Sequence, residues 1–112
     1  MDSKQAEEFV SKSKKLKKMR AILEAVTDDR NTFRDKFVND DQAGTAKKLE
    51  ELDNIVRQNE ARISDLQYEI EDMLEIINVT FTKDIHVIDD GLQYKVFKNK
   101  TTGKVDYISS GR

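Results

Sequence analysis

Four groups of residues in this chain have the types or spacing that chemistry requires. The first is "KSKKLKKMR", residues 12–20, which holds Lys12, Lys14, Lys15, Lys17, Lys18 and Arg20. Such a density could grip nucleic-acid phosphates or an anionic membrane. No aromatic residue is interleaved to stack on bases, so solvated and internally paired lysines are the expected reading. The second group is Asp40 and Asp41, adjacent carboxylates that could cap a helix. The third is His86, the single histidine, which falls in a strand-like stretch and is expected to be half-buried or exposed. The fourth is the Gly-Lys of "TTGKV", residues 101–105. It lacks the glycine spacing of a phosphate loop and opens no helix, so it reads as a hairpin turn. Cysteine is absent, which removes thiol catalysis, thiolate metal sites and disulfides. No Ser, His and acid stand in a nucleophile motif. The chain is expected to be no enzyme and to use no cofactor or metal.

The elements that position these residues are read from period. Phe9, Leu16, Leu23, Arg30 and Phe37 fall at a of a heptad, and Lys12, Met19, Val26 and Phe33 at d. A second stripe runs through Leu49, Val56, Ile63, Ile70 and Ile77 at a, with Leu52, Asn59, Leu66 and Met73 at d. Spacing sustained over four heptads predicts coiled coil, and the absence of proline leaves nothing to kink either helix. "NDDQAGTA", residues 39–46, separates the stripes and offers Asp40, Asp41 and Thr45 as N-caps of the second helix.

After Ile77 the period changes to two. "NVTFT", "IHVI", "LQYKVF" and "KVDYI" predict four short strands, with turns at Asp89-Asp90-Gly91 and at Asn99 to Gly103. Val79, Phe81, Ile85, Val87, Leu92, Tyr94, Val96, Val105 and Tyr107 alternate onto one face. The expected fold is α+β: a long antiparallel α-helical hairpin over 1–77, with its tip at 39–45, followed by a small antiparallel β-meander over 78–112.

Charge selects the hairpin over a parallel self-pairing. Folding back at residues 40–44 brings the basic run alongside Asp65, Glu69, Glu71, Asp72 and Glu75, whereas a parallel pair would set Lys15 at g against Arg20 at e. Two registers remain open. A tight loop sets Leu23 against Asn59 and Arg30 against Leu52. A shift of one heptad sets Arg30 against Asn59, pairing polar with polar, at the cost of a longer loop. Ile22, Ala25, Ile55, Leu74 and Ile76 lie beside the seam and widen the apolar stripe, as in a bundle of more than two helices. The expected oligomer seam is Leu49, Leu52, Val56, Asn59, Ile63, Leu66, Ile70, Met73 and Ile77, with Asn59 fixing register and copy number.

The order helix, acidic tip, helix, C-terminal β region is similar to that of Gre-type transcript-cleavage factors. There, tip carboxylates help hold a catalytic magnesium ion in the secondary channel of RNA polymerase. The likeness covers the order of elements and the acids Asp40 and Asp41; the β region here is much shorter. It implies a regulator that inserts its tip into RNA polymerase or another enzyme, and a nucleic-acid binder using residues 12–20 is the other alternative. The leading reading is a homo-oligomeric structural or assembly protein, of a build that suits a phage or other viral component. Its partners are a copy of itself and another protein, not nucleic acid or membrane. Net charge is -2, and "MDSKQAEEFV" has no apolar signal core. With no apolar run of the roughly 18 residues that span a bilayer, the expected location is cytoplasmic, or a particle assembled inside a host cell.

Overall fold

Two helices and three strands follow one another in the computed structural model, which describes residues 1–37 and 43–111, residue 43 by its backbone alone. Helix α1 spans Ser3–Lys36 and helix α2 spans Ala43–Thr80. Strands β1 (Ile85–Asp89), β2 (Leu92–Lys98) and β3 (Val105–Gly111) form one antiparallel sheet in the order β1-β2-β3. The fold is therefore a helical hairpin followed by a β-meander.

Helix α1 starts where its backbone donors find acceptors. Asp2 Oδ1 accepts from the Gln5 amide at 2.8 Å, and Gln5 Oε1 accepts from the Asp2 amide at 3.0 Å. This reciprocal pair satisfies two N–H groups that the first helical turn would otherwise leave unpaired. Helix α2 begins two residues before Thr45, so Thr45 sits in its first turn and is not the N-cap. Asp40 and Asp41 lie outside the described residues.

At its other end α2 runs on to Thr80, and the strand expected over 78–82 does not form. A helix already propagating gains one hydrogen bond per added residue, which here outweighs the β preference of Val79 and Thr80. The Thr80 hydroxyl donates back to Ile76 O at 2.9 Å. Asn78 Oδ1 accepts the amide of Val105 at 2.7 Å, tying the helix end to the start of β3. Val79, expected inside, is consequently 85% exposed.

Residues Asp90 and Gly91 alone join β1 to β2, because Asp89 pairs with Leu92. Their φ angles of 54° and 77° are those of the turn whose twist matches a hairpin. The β2–β3 turn is held by Asn99, whose Oδ1 accepts from the Thr101 and Thr102 amides. Gly103, at φ 72°, closes it with its amide on Asn99 O at 2.7 Å.

The chain divides into two compact units. One joins Met1–Lys15 to Leu66–Arg112, and the other is Leu16–Asp65. In the first, Ala6, Phe9, Val10, Leu66, Ile70, Ile77, Val87, Tyr94, Val96 and Val105 are buried. Phe9 meets the Tyr107 ring edge-on at 5.9 Å, and Tyr107 in turn meets Tyr94 at 5.9 Å. The N-terminus of α1 thus covers the inner face of the sheet. Leu92, expected on that face, is exposed next to the tight turn. In the second unit only Leu16, Val56 and Ile63 are buried among the described residues. Two helices can cover only a narrow seam.

Every described a and d position of both stripes is buried or half-buried. The register is the tight-loop one. Arg30 Nη1 lies 3.4 Å from Asp53 Oδ1, one residue from Leu52. Lys12 Nζ lies 3.5 Å from Glu69, in agreement. The shifted register would have given Asn59 a polar partner. Instead Asn59 donates to Ile55 O of its own helix at 2.9 Å, and Arg30 also donates to Asn31 Oδ1 at 3.1 Å. Neither needs the other, so the shorter loop stands without an unpaired buried amide.

Candidate interaction surfaces

The most shielded ion pair among the described residues is built by elements of the first unit. Lys14 Nζ donates to Asp89 Oδ2 at 2.8 Å and lies 4.8 Å from the centre of the Tyr94 ring. Ile85, Val87 and Asp89 share one face of β1 because side chains alternate along a strand, so an acid follows two apolar residues on the covered side. Helix α1 answers it with a cation. The hydrogen bond to Asp89, with Tyr94 adding to it, holds the Lys14 ammonium well above the ordinary lysine range. Removal from water raises the Tyr107 hydroxyl, with the Asp106 charge contributing. This cluster clamps helix to sheet.

By sequence pattern Lys14 belongs to the basic run and Asp89 to a turn, and neither pattern pairs them. The signal was available in the third inward position of β1, a carboxylate that requires a partner when partly desolvated.

The rest of the basic run corrects the expectation of internal pairing. Lys12 reaches Glu69, in a mostly exposed pair of the kind that contributes little. Lys15, Lys17, Lys18 and Arg20 are exposed and make no ion pair with a described residue. Asp65, Glu71, Asp72 and Glu75 are likewise exposed and unpaired among the described residues. The reason is rotational. Lys17 and Lys18 fall at heptad positions b and c, and the four acids at b, c and f, all of which turn away from the seam. Lying at the same level of a hairpin is not the same as facing each other.

Large apolar side chains also remain outside the seam. Ile22 is 53% exposed and Ile55 43%, and Tyr68 and Ile76 are exposed on α2. The outer face of the sheet carries His86, Ile88, Lys95, Phe97 and Ile108, with Lys95 over the Phe97 ring at 5.7 Å. His86 is exposed there, opposite Lys95.

An open groove of about 450 Å³ is lined by Phe81, Asp84, Lys98, Asn99, Lys100 and Gly103. Two of its polar groups serve the fold: Lys98 Nζ donates to Asn78 O at 3.3 Å, and Asn99 holds its own turn. Gly103 and Lys104 belong to that β-hairpin turn. Among the described residues no cluster of three His, Asp or Glu could hold a metal ion. Among the described residues no helix is long and apolar enough to cross a membrane. Compared with known protein families, curated proteins and solved structures, the chain finds no match in any of the three.

Proposed function

We propose that this chain is a non-enzymatic, homo-oligomeric coiled-coil protein of structural or assembly type. Its helices set the spacing between copies, and its sheet docks a second protein. The observation that carries this reading is the set of large apolar side chains outside the hairpin seam: Ile22, Ile55, Tyr68, Ile76 and Val79. A hairpin pairs one stripe per helix, so apolar residues at c, f and g have no use within it. Their repeated exposure fits helices that pack on further helices. Ile88 and Ile108 on the outer face of the sheet support a docking role there. A component of a phage or other viral particle would have this build.

Light scattering at micromolar concentration tests the reading. The expected mass is a multiple of 13.0 kDa. A single cooperative melt from a species of 13.0 kDa refutes it.

A further inference from the structure

The outward sides of the two helices carry opposite charge on apolar strips of opposite size. On α2, in the unit containing Leu66–Arg112, Tyr68, Asp72, Glu75, Ile76 and Val79 are all exposed. At 3.6 residues per turn they fall within an arc of about 100°. This strip is acidic and its apolar side chains are large. On α1, in the unit Leu16–Asp65, Lys18, Ala21, Ile22 and Ala25 are exposed within an arc of about 100°, with Lys17 at its edge. This strip is basic, and apart from Ile22 its apolar side chains are small. None of the four charged residues makes an ion pair with a described residue.

From this charge and size complementarity we infer that a second copy of this chain occupies each strip. The basic α1 strip of one copy seats on the acidic α2 strip of the next. The bulk of Tyr68, Ile76 and Val79 fills the space that Ala21 and Ala25 leave, so the helices approach closely, as ridges pack into grooves. Lys18 and Asp72 stand near the middle of their arcs and Lys17 and Glu75 at the edges, and these opposite potentials orient and select the partner. The contact joins two different surfaces. Every copy therefore offers one of each, and association closes a ring or continues as a filament. The inference rests on the homo-oligomer reading above and specifies its geometry.

Charge reversal tests it in the intact chain. Lys17→Glu with Lys18→Glu makes both strips acidic, and Asp72→Lys with Glu75→Lys makes both basic. All four positions are exposed, and unchanged helical circular dichroism establishes that each variant folds. Each double variant alone should associate roughly tenfold or more weakly by sedimentation, because two attractive pairs become repulsive. An equimolar mixture of the two should regain the wild-type mass, and so should one chain carrying all four reversals. Wild-type association should also weaken as salt rises toward 0.5 M, within which the screening length falls below about 5 Å. A wild-type oligomer whose mass ignores both reversals overturns the inference and leaves the homo-oligomer reading standing. So does weakening that neither the mixture nor the fourfold variant restores. A wild-type chain that stays at 13.0 kDa at every concentration overturns the homo-oligomer reading itself.

Discussion

Replacing Asn59 with leucine asks what a single polar side chain does in an otherwise apolar stripe. Asn59 holds a d position, is half-buried and stands at the level of Leu23 in the tight-loop register. Among the described residues its amide nitrogen engages only Ile55 O, one turn back on the same helix. Removing that bond strands nothing, since Ile55 O still has its helical N–H and water. A fully buried leucine contributes roughly 1.5–3 kcal/mol, so a half-buried one adds about 1 kcal/mol. Leucine is also a better helix former than asparagine by about 0.5 kcal/mol. Loss of an exposed intrahelical bond costs at most about 0.5 kcal/mol. The sum is a gain of about 1 kcal/mol, or a rise in Tm of roughly 4 °C for a chain of this length. Thermal melts followed by circular dichroism at 222 nm would read it, with mass measured on the same samples. If Asn59 also restricts how copies pair, as seam asparagines do, the variant should show a mixed or altered mass. A melt that stays within 1 °C of wild type, or falls, refutes the reasoning and moves Asn59 out of the seam.

Three further outcomes are expected. Ile77→Ala empties a side chain with no exposed surface at the end of α2 and should cost about 3 kcal/mol in urea unfolding; a loss under 1 kcal/mol would contradict the burial. A fragment of residues 78–112 should be unfolded by amide NMR, because Val87, Tyr94, Val96 and Val105 would lose the cover that Phe9 and the helices provide; a dispersed spectrum would contradict this. Lys14 has a folded pKa above its ordinary 10.5, so its contribution is complete below about 10.5 and is lost as pH rises through the folded value. The stability gap between wild type and Lys14→Met should therefore be constant from pH 6 to 9 and narrow above pH 11, whereas a gap that widens in alkali would mean the lysine is stabilised as the free amine.

Local pattern was readable and cross-element geometry was not. The a and d positions of both stripes are shielded in the structure because heptad period is a property of one helix at a time. The two turns were equally legible, since Asp90-Gly91 and Asn99 to Gly103 carry their conformational preference in their own residue types. Failures begin where one element's fate depends on another. "NVTFT" has strand-forming residues, yet the helix before it and the Val105 amide beyond it hold Asn78 to Thr80 in α2. The basic and acidic runs were matched by level along the hairpin, while rotation about each helix axis decides which side chains face. Lys14 and Asp89 are 75 residues apart, and only the inward alternation of β1 hinted at their meeting. The two candidate registers differed by one heptad, too little for pattern to separate. Arg30 beside Asp53 separates them.

The first compact unit is assembled from Met1–Lys15 and Leu66–Arg112, with the whole of the other unit lying between them in the chain. This arrangement sets an order of events. The interior segment can zip from its turn through near neighbours, so its loop-closure entropy is small. The outer segments must find each other across some 50 residues of chain unless that zipping has already drawn them together. On a ribosome, Phe9 and Val10 emerge first and wait for Tyr94 and Val96. At 5–20 residues per second that delay is roughly 5–20 s. Through that interval Phe9 and Val10 stand without the strand residues that bury them in the finished protein. Slowing translation across residues 66–96 should lengthen the exposure and increase capture of the nascent chain by chaperones, without changing the finished protein.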